Sequence, residues 1–260
     1  MTNLSSFVKA RPAIVRGAGA LAFVAVLGLV WQGAIVAFAI PSFLLPTPVQ
    51  VAEAAIAQRS VLVSAAITTA GEAATGFLLG NSIGLLAAFA VAAWLTAARI
   101  VLPIALAVRS APIIALTPIL TLVFGFGFRT TTVIVALIVF FPALVNGVLG
   151  LRSVSPNVLE FMHVIDAPAP LVLRRVRIPA ALPSMFAAFR IGSVSSILGA
   201  MVAEWVTTGG GLGYLILKSG VSFELALMWA GVLASVALAV IALAATSWLE
   251  RRVTAWQPLG

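Results

Sequence analysis

Long apolar blocks separated by short joints of proline, glycine or charge organise this chain. The first block runs from 17 to 39, behind a short basic segment with Lys9, Arg11 and Arg16. Ala37-Phe38-Ala39 resembles a signal-peptide cleavage site. The block is longer than the ~7–15 residues of such a core, so a retained first helix is expected. Pro41 to Pro48 ends it, and 49–63, with Glu53, Gln58 and Arg59 among alanines, predicts an amphipathic surface helix. Further spans are expected at about 64–93, 100–124, 131–151, 184–206 and 225–249.

The joints add detail. Gly76, Gly80 and Gly84 recur every four residues, which puts three small residues on one face of the second span and permits close helix approach. Packing within the chain is the expected use of that face, ahead of a dimer seam. Pro103, Pro112 and Pro118 interrupt the third span, and each removes a backbone donor. Gly125-Phe126-Gly127 turns the chain into the fourth, which contains Pro142. The longest polar stretch, 152–183, separates the fourth and fifth spans, and Gly209 to Gly213 leads toward the sixth.

Composition agrees with this pattern. Of 260 residues, 62% are hydrophobic and 8% charged, against roughly 45–50% and about 25% in soluble domains. The fold class expected is therefore an all-α membrane protein with about six transmembrane helices. The organisation expected is a cytoplasmic N-terminal segment, 1–16, and one transmembrane domain, 17–260. With the N-terminus inside, cytoplasmic segments hold Lys9, Arg11, Arg16, Arg99, Arg152, Arg174, Arg175, Arg177, Arg251 and Arg252, whereas outer segments hold only Arg59, Arg129 and Lys218. That bias places both termini in the cytoplasm. Trp94, Trp205 and Trp248 fall near helix ends, where interfacial anchors belong. The net charge of +8 thus reads as a topology signal rather than as nucleic-acid binding.

Candidate chemistry is sparse. There is no Cys, and His163 is the one His, which excludes disulfides, thiolate zinc sites and any His cluster for a metal. No Walker A loop is present: Gly209 to Gly213 lacks the following Lys-Ser/Thr. No enzyme active site is expected. Glu72, Arg109 and Glu204 sit within apolar spans, where a mid-bilayer charge costs ~2.5–3.5 kcal/mol. Glu72 and Arg109 each lie roughly 12–14 Å deep by helix rise, so they are expected to pair or to line a path. Glu204, near an outer end, is expected to reach water, with a gate as its other reading.

The segment 152–183 is the most informative. Pro156 can open a first short helix, Asp166 can cap a second, and Pro179 can close it. Such a loop with exposed apolar groups suggests docking to a cytoplasmic partner. Here the chain resembles the permeases of binding-protein-dependent ABC importers. Their cytoplasmic signature carries Glu-Ala-Ala, a Gly six residues after the Glu, and an Ile/Leu-Pro ending. Glu160 matches the Glu, Arg174 and Arg175 the basic pair, and Ile178-Pro179-Ala180-Ala181-Leu182-Pro183 the ending, followed by Arg190-Ile191-Gly192. Phe161 and Met162 replace the alanines and Asp166 the glycine; Asp enters left-handed turns more readily than most residues. Phe124-Gly125-Phe126-Gly127, Phe141-Pro142, Ala203-Glu204-Trp205 and Gly211-Leu212-Gly213-Tyr214 extend the resemblance over nearly the whole chain.

The resemblance implies the type I importer permease fold in a bacterial inner membrane. Glu160, Phe161, Met162, His163, Asp166, Ala167 and Arg174 would couple to a cytoplasmic ATPase. It implies a second permease copy, expected as a homodimer, and an extracytoplasmic substrate-binding protein. ATP and Mg would be bound by the ATPase, with no cofactor in this chain. It points to the branch serving nitrate, sulfonates, taurine, pyrimidine vitamin precursors and riboflavin. Thr69 to Asn81 looks most like the pyrimidine-precursor and riboflavin members. A stand-alone secondary transporter or channel is the alternative; the absence of a clear inverted repeat disfavours it.

Overall fold

The computed structural model describes residues 13–110, 112–207 and 209–256. Lys9 and Arg11 lie outside them, as do the side chains of Arg16 and Arg109. The described residues form helices α1 (Ala13–Ala37), α2 (Pro48–Ala57), α3 (Arg59–Ala93), α4 (Leu95–Ser110), α5 (Ile113–Phe124) and α6 (Phe128–Leu151). After these come α7 (Pro156–Val164), α8 (Ala169–Val172), α9 (Ile178–Thr207), α10 (Gly211–Val221) and α11 (Leu225–Val253). Among the described residues, α3, α6, α11 and the continuous helical run Ala169–Thr207 are long and apolar enough to cross a bilayer; Ala25–Ala37, Ala98–Ala107 and Ala115–Phe124 are shorter apolar segments. Large apolar side chains such as Leu86 and Leu122 point outward, as they do where lipid is the solvent.

The centre is the contact of α3 with α6. A β-carbon on Gly76 would lie 2.5 Å from Cβ of Val135, and one on Gly84 would lie 2.7 Å from Cβ of Ala143. One on Gly80 would collide with the Ala136 carbonyl oxygen. The four-residue glycine repeat is thus used within the chain, as its spacing predicts. Gly147 of α6 continues the seam against Ala88, and Gly150 meets Ala181 of α9. Helix α9 closes the core, with Val135, Val139, Ile197 and Ala200 buried together.

Three expectations need correction. The third span is not one kinked helix. It breaks into α4 and α5 at Pro112, whereas Pro103 and Pro118 stay inside helices. Pro112 itself is extended, at ψ 93°, and stands at the N-cap of α5, where the helical path is broken. Residues 49–63 lie largely at the surface, as expected, but they divide between two helices. Helix α2 ends at Ala57 and α3 starts at Arg59, while Val51 is buried with Leu62, Leu215 and Leu227. Lastly, a further helix, α10, starts within the glycine run at Gly211 and is wedged beside α3, α9 and α11.

Candidate functional site

Two regions hold the predicted site residues. The first is the elbow between α6 and α9. Ser155, in extended conformation, precedes Pro156 at the first position of α7, where the missing N–H costs nothing. Helix α7 has no buried residue. Phe161 is 62% and Val164 76% exposed; three positions apart, they share one face. His163 and Glu160 are also exposed, whereas Met162 and Ala167 are half-buried.

Asp166 does not cap the second helix. Its φ is +49°, its N–H donates to the His163 carbonyl (3.0 Å), and the Ala167 N–H donates to the Met162 carbonyl (3.0 Å). This pair of bonds around a left-handed residue is the Schellman closure of α7, a position that favours glycine. Asp166 therefore fills a glycine role at the end of α7, and Pro168 occupies the N-cap of α8. Aspartate suits both a helix start and a left-handed turn, so sequence alone assigned it to the wrong helix.

Nor does Pro179 close the second helix. Helix α8 passes through one wide π turn, Leu173–Arg177, into α9, which runs on through Pro179 and Pro183. A π turn shifts the hydrogen-bond register by one residue. The fifth span thus begins near 178 rather than 184, and the elbow joins it without a hinge. Arg174 and Arg177 lie on the π turn.

The second region is buried where α3, α9 and α10 meet. Glu204 is 1% exposed, so it does not reach water. Thr69 Oγ1 donates to Glu204 Oε1 (2.6 Å) and accepts from the Leu212 N–H (2.8 Å); Glu204 Oε2 accepts from the Gly213 N–H (2.6 Å). The first turn of α10 has unpaired amides, and its N-cap, Gly210, has no side chain to offer. Side chains from α3 and α9 do the capping instead. Gly211, at φ +90°, leaves room for the Glu204 carboxyl where a β-carbon would stand. Thr69 and the α10 amides were missed from the sequence; the glycine run before an apolar stretch was the available signal.

Glu72 is also buried, and its carboxyl adjoins that of Glu204. Its Oε2 has no hydrogen-bond partner. The two carboxyls were expected at different depths. However, α3 overhangs α9 at this end, so a residue well inside α3 lies level with one near the end of α9. The predicted Glu72–Arg109 pair lies outside the described residues, because the Arg109 side chain does. An ion pair that the sequence did not suggest joins Arg190 of α9 to Glu250 of α11.

Comparison with known proteins fits this architecture. Residues 80–255 match the family described as "Binding-protein-dependent transport system inner membrane component". A probable ABC transporter permease of Haemophilus influenzae is 30% identical over 89% of this chain and 95% of its own length. The riboflavin transport system permease RibX of Chloroflexus aurantiacus is 31% identical, over 87% and 85%. The formylaminopyrimidine transport permease ThiX of Halalkalibacterium halodurans is 28% identical, over 83% and 86%. In fold, a chain of the MetNI methionine ABC transporter in an inward facing conformation superposes with a TM-score of 0.69, at 20% identity, over 76% of this chain and 98% of that one. This multi-pass inner-membrane protein therefore belongs to the permease family of binding-protein-dependent ABC importers.

Proposed function

We propose that the chain forms the translocation path for a small organic or anionic solute and is driven by a separate cytoplasmic ATPase docked on the elbow. The observation that carries this reading is α7: a helix with no buried side chain, closed by a Schellman turn, holding Phe161 and Val164 outward. A helix whose apolar face nothing covers within its own chain is suited to fill a groove on a partner. Glu160, Phe161, Met162, His163, Asp166, Ala167 and Arg174 make up the docking element. ATP and Mg bind the partner, and this chain is not itself catalytic. Both termini face the cytoplasm, two copies line the path, and a soluble binding protein delivers substrate. Likeness to RibX and ThiX supports riboflavin or a pyrimidine vitamin precursor over sulfonate, taurine or nitrate.

For the charges within spans, Glu204 acts first as a bolt that holds α10 to α3 and α9. Glu72 and Arg109 remain the candidates for the path itself. Normal transport by both Glu72→Gln and Arg109→Gln would remove them from that role. The importer reading predicts co-purification with an ATPase and uptake into proteoliposomes only with ATP inside the coupled complex. Uptake without ATP would overturn it in favour of a stand-alone transporter. Calorimetry of candidate solutes on the cognate binding protein would fix the substrate.

A further inference from the structure

Between the end of α3 and the elbow lies an open groove of about 760 Å³. One wall comes from the spanning helix and includes Phe89 and Trp94; the opposite wall comes from α7 and α8 and includes Leu159. His163, Arg174 and Arg177 also line it, and no Asp or Glu does. Among the described residues, Arg174 and Arg177 form no ion pair. Trp94, 66% exposed at the end of α3, stands where tryptophans mark the membrane interface. Phe89 lies about 7–8 Å deeper along the helix axis.

We propose that this groove binds an anionic phospholipid from the leaflet on the elbow side. An acyl chain would lie along Phe89 and Trp94, with the phosphate between Arg174 and Arg177. Basic pockets at the ends of membrane helices select anionic headgroups in this way. The polarity runs in the sense that a lipid needs: apolar wall on the spanning helix, guanidinium groups on the polar elbow. A nucleotide or free phosphate would leave the Phe89–Trp94 wall uncovered. The groove shares Met162, His163, Ala167 and Arg174 with the proposed docking element, but lipid retention is read on the chain without its ATPase, so its failure leaves the importer reading untouched.

The test is lipid retention. The full chain is purified in mild detergent, exchanged into nanodiscs holding equal phosphatidylglycerol and phosphatidylcholine, re-extracted and weighed by native mass spectrometry. Wild type should keep phosphatidylglycerol preferentially. Arg174→Gln with Arg177→Gln should lower that retention roughly tenfold. Arg175→Gln, which removes the same charge outside the groove, should change it little, and Trp94→Ala should weaken retention of both lipids. Equal retention of the two lipids by wild type would overturn the proposal. So would an Arg175→Gln loss as large as that of the double variant, or displacement of the lipid by millimolar inorganic phosphate.

Discussion

The α3–α6 seam and the α7–α8 elbow are built from opposite choices. In the seam, glycines bring two backbones so close that no side chain fits between them. In the elbow, large apolar side chains such as Phe161 and Val164 stand largely exposed on a short helix. In a bilayer, water cannot drive helices together, so the seam relies on contact distance. The elbow lies outside that constraint, and its apolar groups are available for a partner. On the proposed reading, stability and coupling fall to different parts of one chain, and each should fail separately.

The most severe break should come at Gly80. Gly80→Val meets the Ala136 backbone, which cannot yield, and overpacking of that kind costs ~3 kcal/mol or more. Loss of the monodisperse species on size-exclusion chromatography, or a collapse in melting temperature, is expected; a wild-type melt would mean that the seam is loose. Next is the bolt. Thr69→Val keeps the shape but strands the Leu212 amide and one Glu204 oxygen, which should cost ~1–3 kcal/mol in thermal unfolding. Asp166 sharpens the elbow side. Asp166→Val places a β-branched residue at φ +49° and should cost ~1–2 kcal/mol, whereas Asp166→Gly should be neutral or slightly stabilising. The smallest stability effect belongs to Phe161→Ala, within ~0.5 kcal/mol of wild type, yet it should sharply lower ATPase co-purification. A destabilised Phe161→Ala protein with its ATPase still bound would erase the contrast.

How legible these regions were follows from where their causes lie. The glycine repeat and the opening of α7 at Pro156 are local patterns, and both were readable. Asp166 was read one helix late, because an aspartate before a proline-rich start satisfies the rule for capping the next helix as well as that for ending the last. Pro179 was read as a stop, since no local feature announces a π turn. The role of Glu204 could not be read at all. Its partners, Thr69 and the α10 amides, are distant in sequence or hidden in a glycine run, and the capping group that α10 lacks is supplied by tertiary packing.

The uninterrupted run from Ala169 to Thr207 has a mechanical consequence. Its 39 residues form a rod of roughly 58 Å, longer than the ~40–45 Å of a whole bilayer with its headgroups. If driven from the elbow, as proposed, such a rod would act as a crank. Each degree of tilt applied at the handle displaces the far tip by about 1 Å, where Glu204 ties it to α3 and α10. A push on the elbow would thus enter α9 through the π turn and pass along continuous helix to the level of Glu204.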